Sequence, residues 1–582
     1  MLYRRPIGSL LLALKKPRLR AFHQALDAFD AHQELVLQRS LEQIKGSKLA
    51  LAHGCQSTLT TPDLAAFPVS DYEDLRPWIE GFAAGDATAL FGRDSGITPQ
   101  RCLFVSTSGT TGRPKSIPVT PTSFAVQAEG WQSWGLSAFA DHRDAAFWDV
   151  LPVSSPARDS MSGLATWAMQ PFSFKTLYAV GDEAQRVSPF DLKLKTLLRL
   201  TVGNPNIGML MSANPSTLLM LIQLLEVHSF DLVRDLRQGT FFAGASNISQ
   251  ATRRNVAAAK RLDRILMRSG RLTPADVWPR LKLVAMWLGG TLGHYCDSLR
   301  PALGHVPWRD HGLVASEGRF TVPLNDGTPD GVLDPRAAYF EFLPEEFGVI
   351  LSSARDNFSK NAVRSLIRAR ELIPGERYRM VVTTLGGLIR YDMHDIVECR
   401  GHVGTAPVVR FLRKSSQFAN ITGEKLSACQ VAQALGEMQS GPSVQRFAAG
   451  QGITTTPNTL QKCRFVTLAP NLAGAPPHYT LYAEPQRDTN STTVDWNAVA
   501  VDWNAVTWEL DRTLQALNCE YRDKRASGRL GPVAIALLAP GSLEQLRARH
   551  LEGAPGATAE QFKQPVLWTD SISPLRDMAF KV

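Results

Sequence analysis

Short apolar runs at 102–105, 146–151, 207–211, 281–287, 339–343 and 379–383 read as strands, and helical patterns fill the intervals, notably 214–230 and 248–269. No other feature constrains the fold as much. Strands that alternate with helices are joined by crossovers, and crossovers build parallel sheets covered by helices. The expectation is an α/β chain whose large N-terminal domain carries mostly parallel sheets. Residues 20–50 read as helical, with Leu26, Phe29, Leu35, Leu37 and Leu41 among polar residues, and Asp71 stands where a helix cap belongs. Near residue 401 the texture changes. Gly401, Gly404 and Pro407 precede a strand at 408–412, and a polar stretch runs on to Glu424. That predicts a boundary near 413, with 1–413 the large domain and 414–582 a smaller α+β domain. The tandem V-D-W-N-A-V-A, V-D-W-N-A-V-T at 494–507 sets Trp496 and Trp503 a heptad apart, which predicts one helix carrying both, structural in role.

Composition narrows the function classes. Hydrophobic residues are 44% and charged residues 20%, an ordinary globular balance that excludes a largely disordered chain. The net charge of +9 is spread along the chain without long like-charged runs or an aromatic-plus-basic stripe. That fits an enzyme handling anionic small molecules better than a nucleic-acid binder. The seven cysteines, 55, 102, 296, 399, 429, 463 and 519, form no C-x-x-C, so neither zinc nor a disulfide framework is expected. Arg4 and Arg5 precede a short apolar stretch closed by Lys15, Lys16, Arg18 and Arg20 with no small-residue cleavage site. An amphipathic helix and a cytoplasmic protein are expected rather than a signal peptide. No apolar run reaches the ~20 residues of a membrane span.

The chemistry concentrates in S-T-S-G-T-T-G-R-P-K-S-I-P at 106–118, which follows a strand candidate. Gly109 and Gly112 allow a tight turn with open backbone N–H groups. Ser108, Thr110 and Thr111 add hydroxyls, and Lys115 adds a cation. Backbone donors, hydroxyls and a lysine in one loop make a polyphosphate cradle. It is not a Walker A loop, because Arg113 and Pro114 separate Gly112 from the lysine.

This string resembles the phosphate loop of adenylate-forming enzymes, and its P-K-x-I-P-x-T continuation resembles that of the auxin-responsive Gretchen Hagen family of acyl acid amido synthetases. The resemblance runs through further motifs in order: P-V-S-D-Y-E-D-L-R-P-W-I at 68–79, L-V-A-S-E-G at 313–318, Y-F-E-F-L-P at 339–344, V-V-T-T-L-G-G-L-I-R-Y-D-M-H-D at 381–395, G-E-K-L at 423–426 and Q-F-K-Q-P at 561–565. It implies an adenylate-forming fold with a mobile C-terminal domain. It also implies a two-step reaction in which a carboxylate attacks the α-phosphate of ATP, and an amine, typically of an amino acid, then displaces AMP. Joining two anions requires Mg²⁺ and positive donors. An adenylate is a good leaving group, so no nucleophilic side chain is needed, and no convincing Ser-His-Asp or Cys-His set is present. The partners implied are a small carboxylic acid and an amine or amino acid, with no nucleic acid and no obligate protein partner. Transfer to a thiol, of coenzyme A or a carrier protein, is the alternative.

By the same resemblance, Ser108, Gly109, Thr110, Thr111 and Lys115 hold phosphates, Ala315 and Ser316 line the nucleotide, Glu317 holds Mg²⁺, and Asp395 accepts the ribose hydroxyls. Arg413 lies where related enzymes place an arginine near the ribose and a hinge. Lys425 and Lys563 are the catalytic candidates, with Lys563 the choice for adenylation. Gly289 and Gly290, in W-L-G-G-T-L-G-H-Y, fit either an adenine-stacking backbone or a plain strand-to-helix turn. The segment 151–164, with Arg158, Asp159, Ser160 and Met161, is expected near the acyl pocket. The third motif departs from the family pattern: Asp392 replaces the usual arginine, and His394 stands where a turn glycine is normal. In the second motif Leu313-Val314 replaces a common aromatic.

Overall fold

A hairpin of β1 (Leu103–Thr107) and β2 (Lys115–Val119) precedes a four-stranded parallel sheet in the computed structural model. Its strands are β3 (Asp149–Pro152), β4 (Ile207–Met211), β5 (Leu283–Ala285) and β6 (Trp308–Arg309), in that order across the sheet. The structure describes residues 4–55, 60–107, 115–154, 161–243, 253–290, 294–345, 365–414, 418–419, 421–422, 424, 426–440, 460, 463–473, 476–485, 502–553, 562, 564–568 and 575–579. Helices such as Phe190–Thr201, Pro215–Val227 and Val256–Ser269 fill the crossovers. Every residue of β4 and β5 is buried, as central strands of a helix-covered sheet are, and this is why they read as unbroken apolar runs.

The largest sheet is of another kind. After β7 (Val314–Ala315) and β8 (Gly318–Arg319) come β9 (Thr321–Val322), β10 (Gly331–Leu333), β11 (Tyr339–Pro344), β12 (Ile367–Arg368), β13 (Arg377–Thr383), β14 (Tyr391–Val403) and β15 (Ala406–Lys414). The last seven form one sheet in the order β12-β11-β13-β14-β15-β10-β9. Its pairings of β11 with β12 and β13, β13 with β14, and β10 with β9 and β15 are antiparallel. The α/β class and the parallel sheet hold, but the expectation of mostly parallel sheets is corrected. The physical reason is connection length: short turns such as 404–405 between β14 and β15 leave no room for the crossover that parallel neighbours need.

One core joins this sheet to the N-terminal helices, with Phe22, Leu26, Phe29 and Ile44 packed in one cluster with Phe320, Phe340, Met380 and Val397. Asp71 caps the helix Tyr72–Ala83, its carboxylate accepting the Glu73 and Asp74 N–H groups while Asp74 reaches back to the Asp71 N–H. The helix Arg4–Asp27 covers the N-terminal apolar stretch. Among the described residues no single helix is long and apolar enough to cross a membrane.

The chain divides into two compact units, the larger holding Met1–Gly289 and Leu303–Leu412, the smaller Gly290–Ala302, Arg413–Gly553 and Phe562–Val582. In the smaller unit, β18 (Cys463–Asn471) pairs antiparallel with β19 (His478–Pro485), which pairs in parallel with β20 (Ala534–Leu537); the hairpin of β16 (Phe418–Ala419) and β17 (Leu426–Ser427) stands apart. The helices Ala428–Ser440 and Trp503–Leu517 pack on this α+β core through Val431, Leu435, Leu510 and Leu514. Asp502 caps the second helix with ψ 87, outside helical values. The helix thus starts at Trp503. The first copy of that repeat lies outside the described residues.

Candidate active site

Four of the sequence motifs meet in the larger unit. The ladder between β1 and β2 sets Thr107 opposite Lys115, so the ends of the phosphate-loop string are pinned side by side. Ser108, Gly109, Thr110 and Thr111 lie outside the described residues, as do Arg158, Asp159 and Ser160; Met161 is buried. Next to Lys115, the Ser116 N–H donates to the Tyr72 hydroxyl at 2.8 Å, which ties β2 to the start of the capped helix. The Lys115 ammonium lies 5.5 Å from the centre of the Tyr72 ring. The segment before that helix runs along the third motif. The Ser70 N–H donates to the Arg390 carbonyl at 3.0 Å, and the Asp392 N–H donates to the Ser70 carbonyl at 2.9 Å.

The second motif is a tight hairpin. Val314 pairs with Arg319 and Ala315 with Gly318, which leaves Ser316 and Glu317 as its two-residue tip. The Tyr391 hydroxyl donates to Glu317 Oε1 at 3.2 Å, and Lys115 Nζ donates to the same hydroxyl at 3.4 Å. A lysine from the loop's exit, a tyrosine from β14 and a glutamate from a hairpin tip thus form one polar chain. Burial, with Glu317 beside it, drives the Tyr391 phenol far above its ordinary range, so it stays protonated.

The departures in the third motif have compensations. Arg379, opposite on β13, donates Nε–H to Asp392 Oδ1 at 2.9 Å and pairs with its second oxygen through Nη2, so the extra acid is neutralised in a bidentate bridge. His394 has φ 55, a left-handed conformation in which a glycine would be unstrained. Its N–H donates to Asp392 Oδ1 at 2.8 Å, and Arg379 Nη2 lies 2.7 Å from its Nδ1. The same Nδ1 lies 3.5 Å from Asp392 Oδ2. The register explains the geometry. Val381 pairs with Asp392 and Arg379 with Ile396, so β14 spends two more residues than β13 between these points. Two extra residues preserve the alternation of faces: Tyr391 before the bulge, Met393 within it, and Val397 and Cys399 after it all enter the core. Asp395 lies in this bulge and is buried.

Asp310 supports the same region and had no motif to mark it. It is buried, and its carboxylate accepts the N–H groups of Leu288 and Gly312, joining the turn after β5 to the approach of the Glu317 hairpin. Burial pushes it up to about 6, against those two hydrogen bonds. Arg319 is buried with its guanidinium 4.0 Å from the Trp131 ring centre, and burial lowers it to about 9. His311, between Trp131 and Trp134, is lowered to about 3 by burial and by Arg319, so it is neutral. At Gly289 a Cβ would come within 2.8 Å of the Pro329 Cβ, so close packing alone requires glycine there, while Gly290 is left-handed at φ 61. Arg413 is the last residue but one of β15 and half-buried; Lys425 and Lys563 lie outside the described residues.

The described residues contain no cluster of three or more His, Cys, Asp or Glu side chains suited to a metal. Magnesium does not require one, because it is commonly held by one or two carboxylates with substrate phosphates and water completing its shell. A half-buried Glu317, one carboxylate oxygen fixed by Tyr391 and a phosphate-loop lysine next to that hydroxyl, fits such a site.

Family models described as the GH3 family N-terminal, central and C-terminal domains match residues 18–308, 331–414 and 448–572. Among curated proteins, the probable indole-3-acetic acid-amido synthetase GH3.4 of Oryza sativa subsp. japonica is 24% identical over 86% of this chain and 79% of its own length. The indole-3-acetic acid-amido synthetase GH3.17 of Arabidopsis thaliana is 23% identical over 92% of this chain and 90% of its own. Among solved structures, a GH3.15 acyl acid amido synthetase superposes with a TM-score of 0.73 at 18% identity, over 97% of this chain and 96% of that one.

Proposed function

Because the chain belongs to the GH3 family, we propose that it is an ATP-dependent ligase that joins a carboxylic acid to the amine of an amino acid through an acyl-adenylate, releasing pyrophosphate and then AMP. The observation that carries this reading is the convergence of Lys115, Tyr391 and Glu317 from three separate motifs. Lys115 offers a point charge to the phosphates from the exit of the loop. Glu317 supplies the carboxylate for magnesium, and Asp395 accepts the ribose hydroxyls from its bulge. Magnesium, when bound, neutralises phosphate charge that would otherwise repel the attacking carboxylate. The relatives' names support an amine as acceptor over a thiol.

ATP–pyrophosphate exchange that needs both Mg²⁺ and a carboxylic acid is the expected result, tested over a panel of aryl, indole and aliphatic acids. Release of ADP and phosphate without AMP would overturn the reading. Mass spectrometry of products formed with mixed amino acids, or with coenzyme A, separates amide from thioester.

Asp395→Ala is expected to weaken ATP binding about 10- to 100-fold. It removes a carboxylate acceptor, and one hydrogen bond to such a group is worth roughly 1.5–3 kcal/mol. Calorimetric titration with ATP checks this, and an unchanged dissociation constant in the folded variant removes Asp395 from the ribose site.

A further inference from the structure

The Tyr391 hydroxyl stands between two groups of opposite charge, with Lys115 Nζ at 3.4 Å and Glu317 Oε1 at 3.2 Å. An ammonium only donates and a carboxylate only accepts. The single phenol proton therefore goes to Glu317, and a lone pair of the same oxygen receives Lys115. The two charges share a neighbour without sharing a bond, for no ion pair joins Lys115 to Glu317 among the described residues. Opposite charges this close in a half-buried place attract strongly, so something must hold them apart.

The tyrosine is built to do so. The residue is 1% exposed and sits in the main core. It opens β14, where it pairs with Val382, and it is bridged to Ser70 on its other side. The preceding Arg390 is locked to Glu341 and to the Phe67 carbonyl. Lys115, by contrast, is the first residue of β2, and Glu317 sits at a hairpin tip.

We propose that the Tyr391 hydroxyl is a spacer that keeps the phosphate lysine and the metal carboxylate from neutralising each other before the nucleotide arrives. Tyr391 is then a positioning residue. It acts through Lys115 and Glu317, and the inference rests on the roles given to those two above. Without the hydroxyl, lysine and glutamate close into a direct ion pair that magnesium and phosphate must break.

Tyr391→Phe keeps the ring and removes the spacer. The first measurement needs no turnover: acylation of Lys115 by a lysine-reactive reagent, quantified by mass spectrometry on the nucleotide-free protein. Labelling of Lys115 is expected to fall in Tyr391→Phe, because the amine becomes paired to a carboxylate. Calorimetry should show Mg·ATP binding weakened about tenfold, the scale of one hydrogen bond to a charged group, with the urea midpoint of unfolding unchanged. Unchanged labelling, or unchanged Mg·ATP affinity, in the folded variant overturns the proposal. Glu317→Gln gives a second test should Tyr391→Phe not fold: Lys115 labelling stays at the wild-type level if Lys115 contacts the hydroxyl, and a rise overturns the spacer. Failure of the wild-type protein to bind Mg·ATP would instead sink the functional reading, while the labelling contrast would still report on the spacer.

Discussion

Replacing Glu341 with alanine is expected to destabilise the larger unit by about 3–5 kcal/mol, the usual cost of removing one partner of a buried ion pair. Arg390 and Glu341 are each less than a tenth exposed. The guanidinium donates Nε–H to Glu341 Oε2 at 3.0 Å and Nη2–H to Oε1 at 2.9 Å, and its Nη1 donates to the Phe67 carbonyl at 3.0 Å. Loss of the carboxylate leaves a full positive charge in the interior with a single carbonyl to meet it. The backbone adds to the stake, because Arg390 is held at φ 42, which a non-glycine residue adopts only under constraint. Urea unfolding followed by tryptophan fluorescence measures the loss. The double variant Glu341→Leu with Arg390→Met is expected to recover most of it, since a buried pair replaced by apolar groups is often neutral. A loss below about 1 kcal/mol in Glu341→Ala would mean that water reaches Arg390. The damage should extend to the site, because Arg390 precedes Tyr391 and its carbonyl anchors Ser70.

What could be read from the sequence follows from how each element hides its apolar residues. The strands at 207–211 and 283–285 announce themselves because both faces are covered. The antiparallel sheet is harder to see. β14 carries Asp392, His394 and Asp395 among its first five residues, which reads as a turn, and only pairing with β13 shows a strand with a bulge. Tyr391 stood inside a recognised motif, yet its hydroxyl contacts two residues far away in the chain, Lys115 and Glu317. Asp392 and His394 looked like intrusions. The anomaly was real, since His394 does occupy a glycine-like conformation. Its remedy, Arg379, is visible only once cross-strand register is known. Asp310 belongs to no motif, and its importance comes from burial and two backbone partners, neither of which composition can reveal.

Lys563→Ala is expected to slow acid-dependent ATP–pyrophosphate exchange by roughly 10²–10³, the typical cost of removing one donor from a charged transition state. In the adenylation step proposed above, negative charge would gather on the α-phosphate as the acid attacks, and a point charge gains most at that moment. In the second step, an amine attacks a carbonyl and AMP leaves, so the same lysine is not required. The segment around it is anchored in the smaller unit. Phe562 packs with Phe465, Tyr482 and Leu546, and Gln564 is buried. The Leu468 N–H donates to the Val566 carbonyl at 2.9 Å and the Trp568 N–H to the Leu468 carbonyl at 2.8 Å. Amide formation from chemically made acyl-adenylate should stay within a few-fold of wild type. Lys425 follows Glu424, which is fixed by the Ile421 and Thr422 N–H groups at 2.7 Å each. Lys425→Ala is expected to weaken nucleotide binding in both half-reactions instead of slowing one. Equal losses in the two half-reactions for Lys563→Ala would assign it a general binding or folding role. A variant working at full speed would remove it from the mechanism and leave Lys425 as the candidate for the adenylation step.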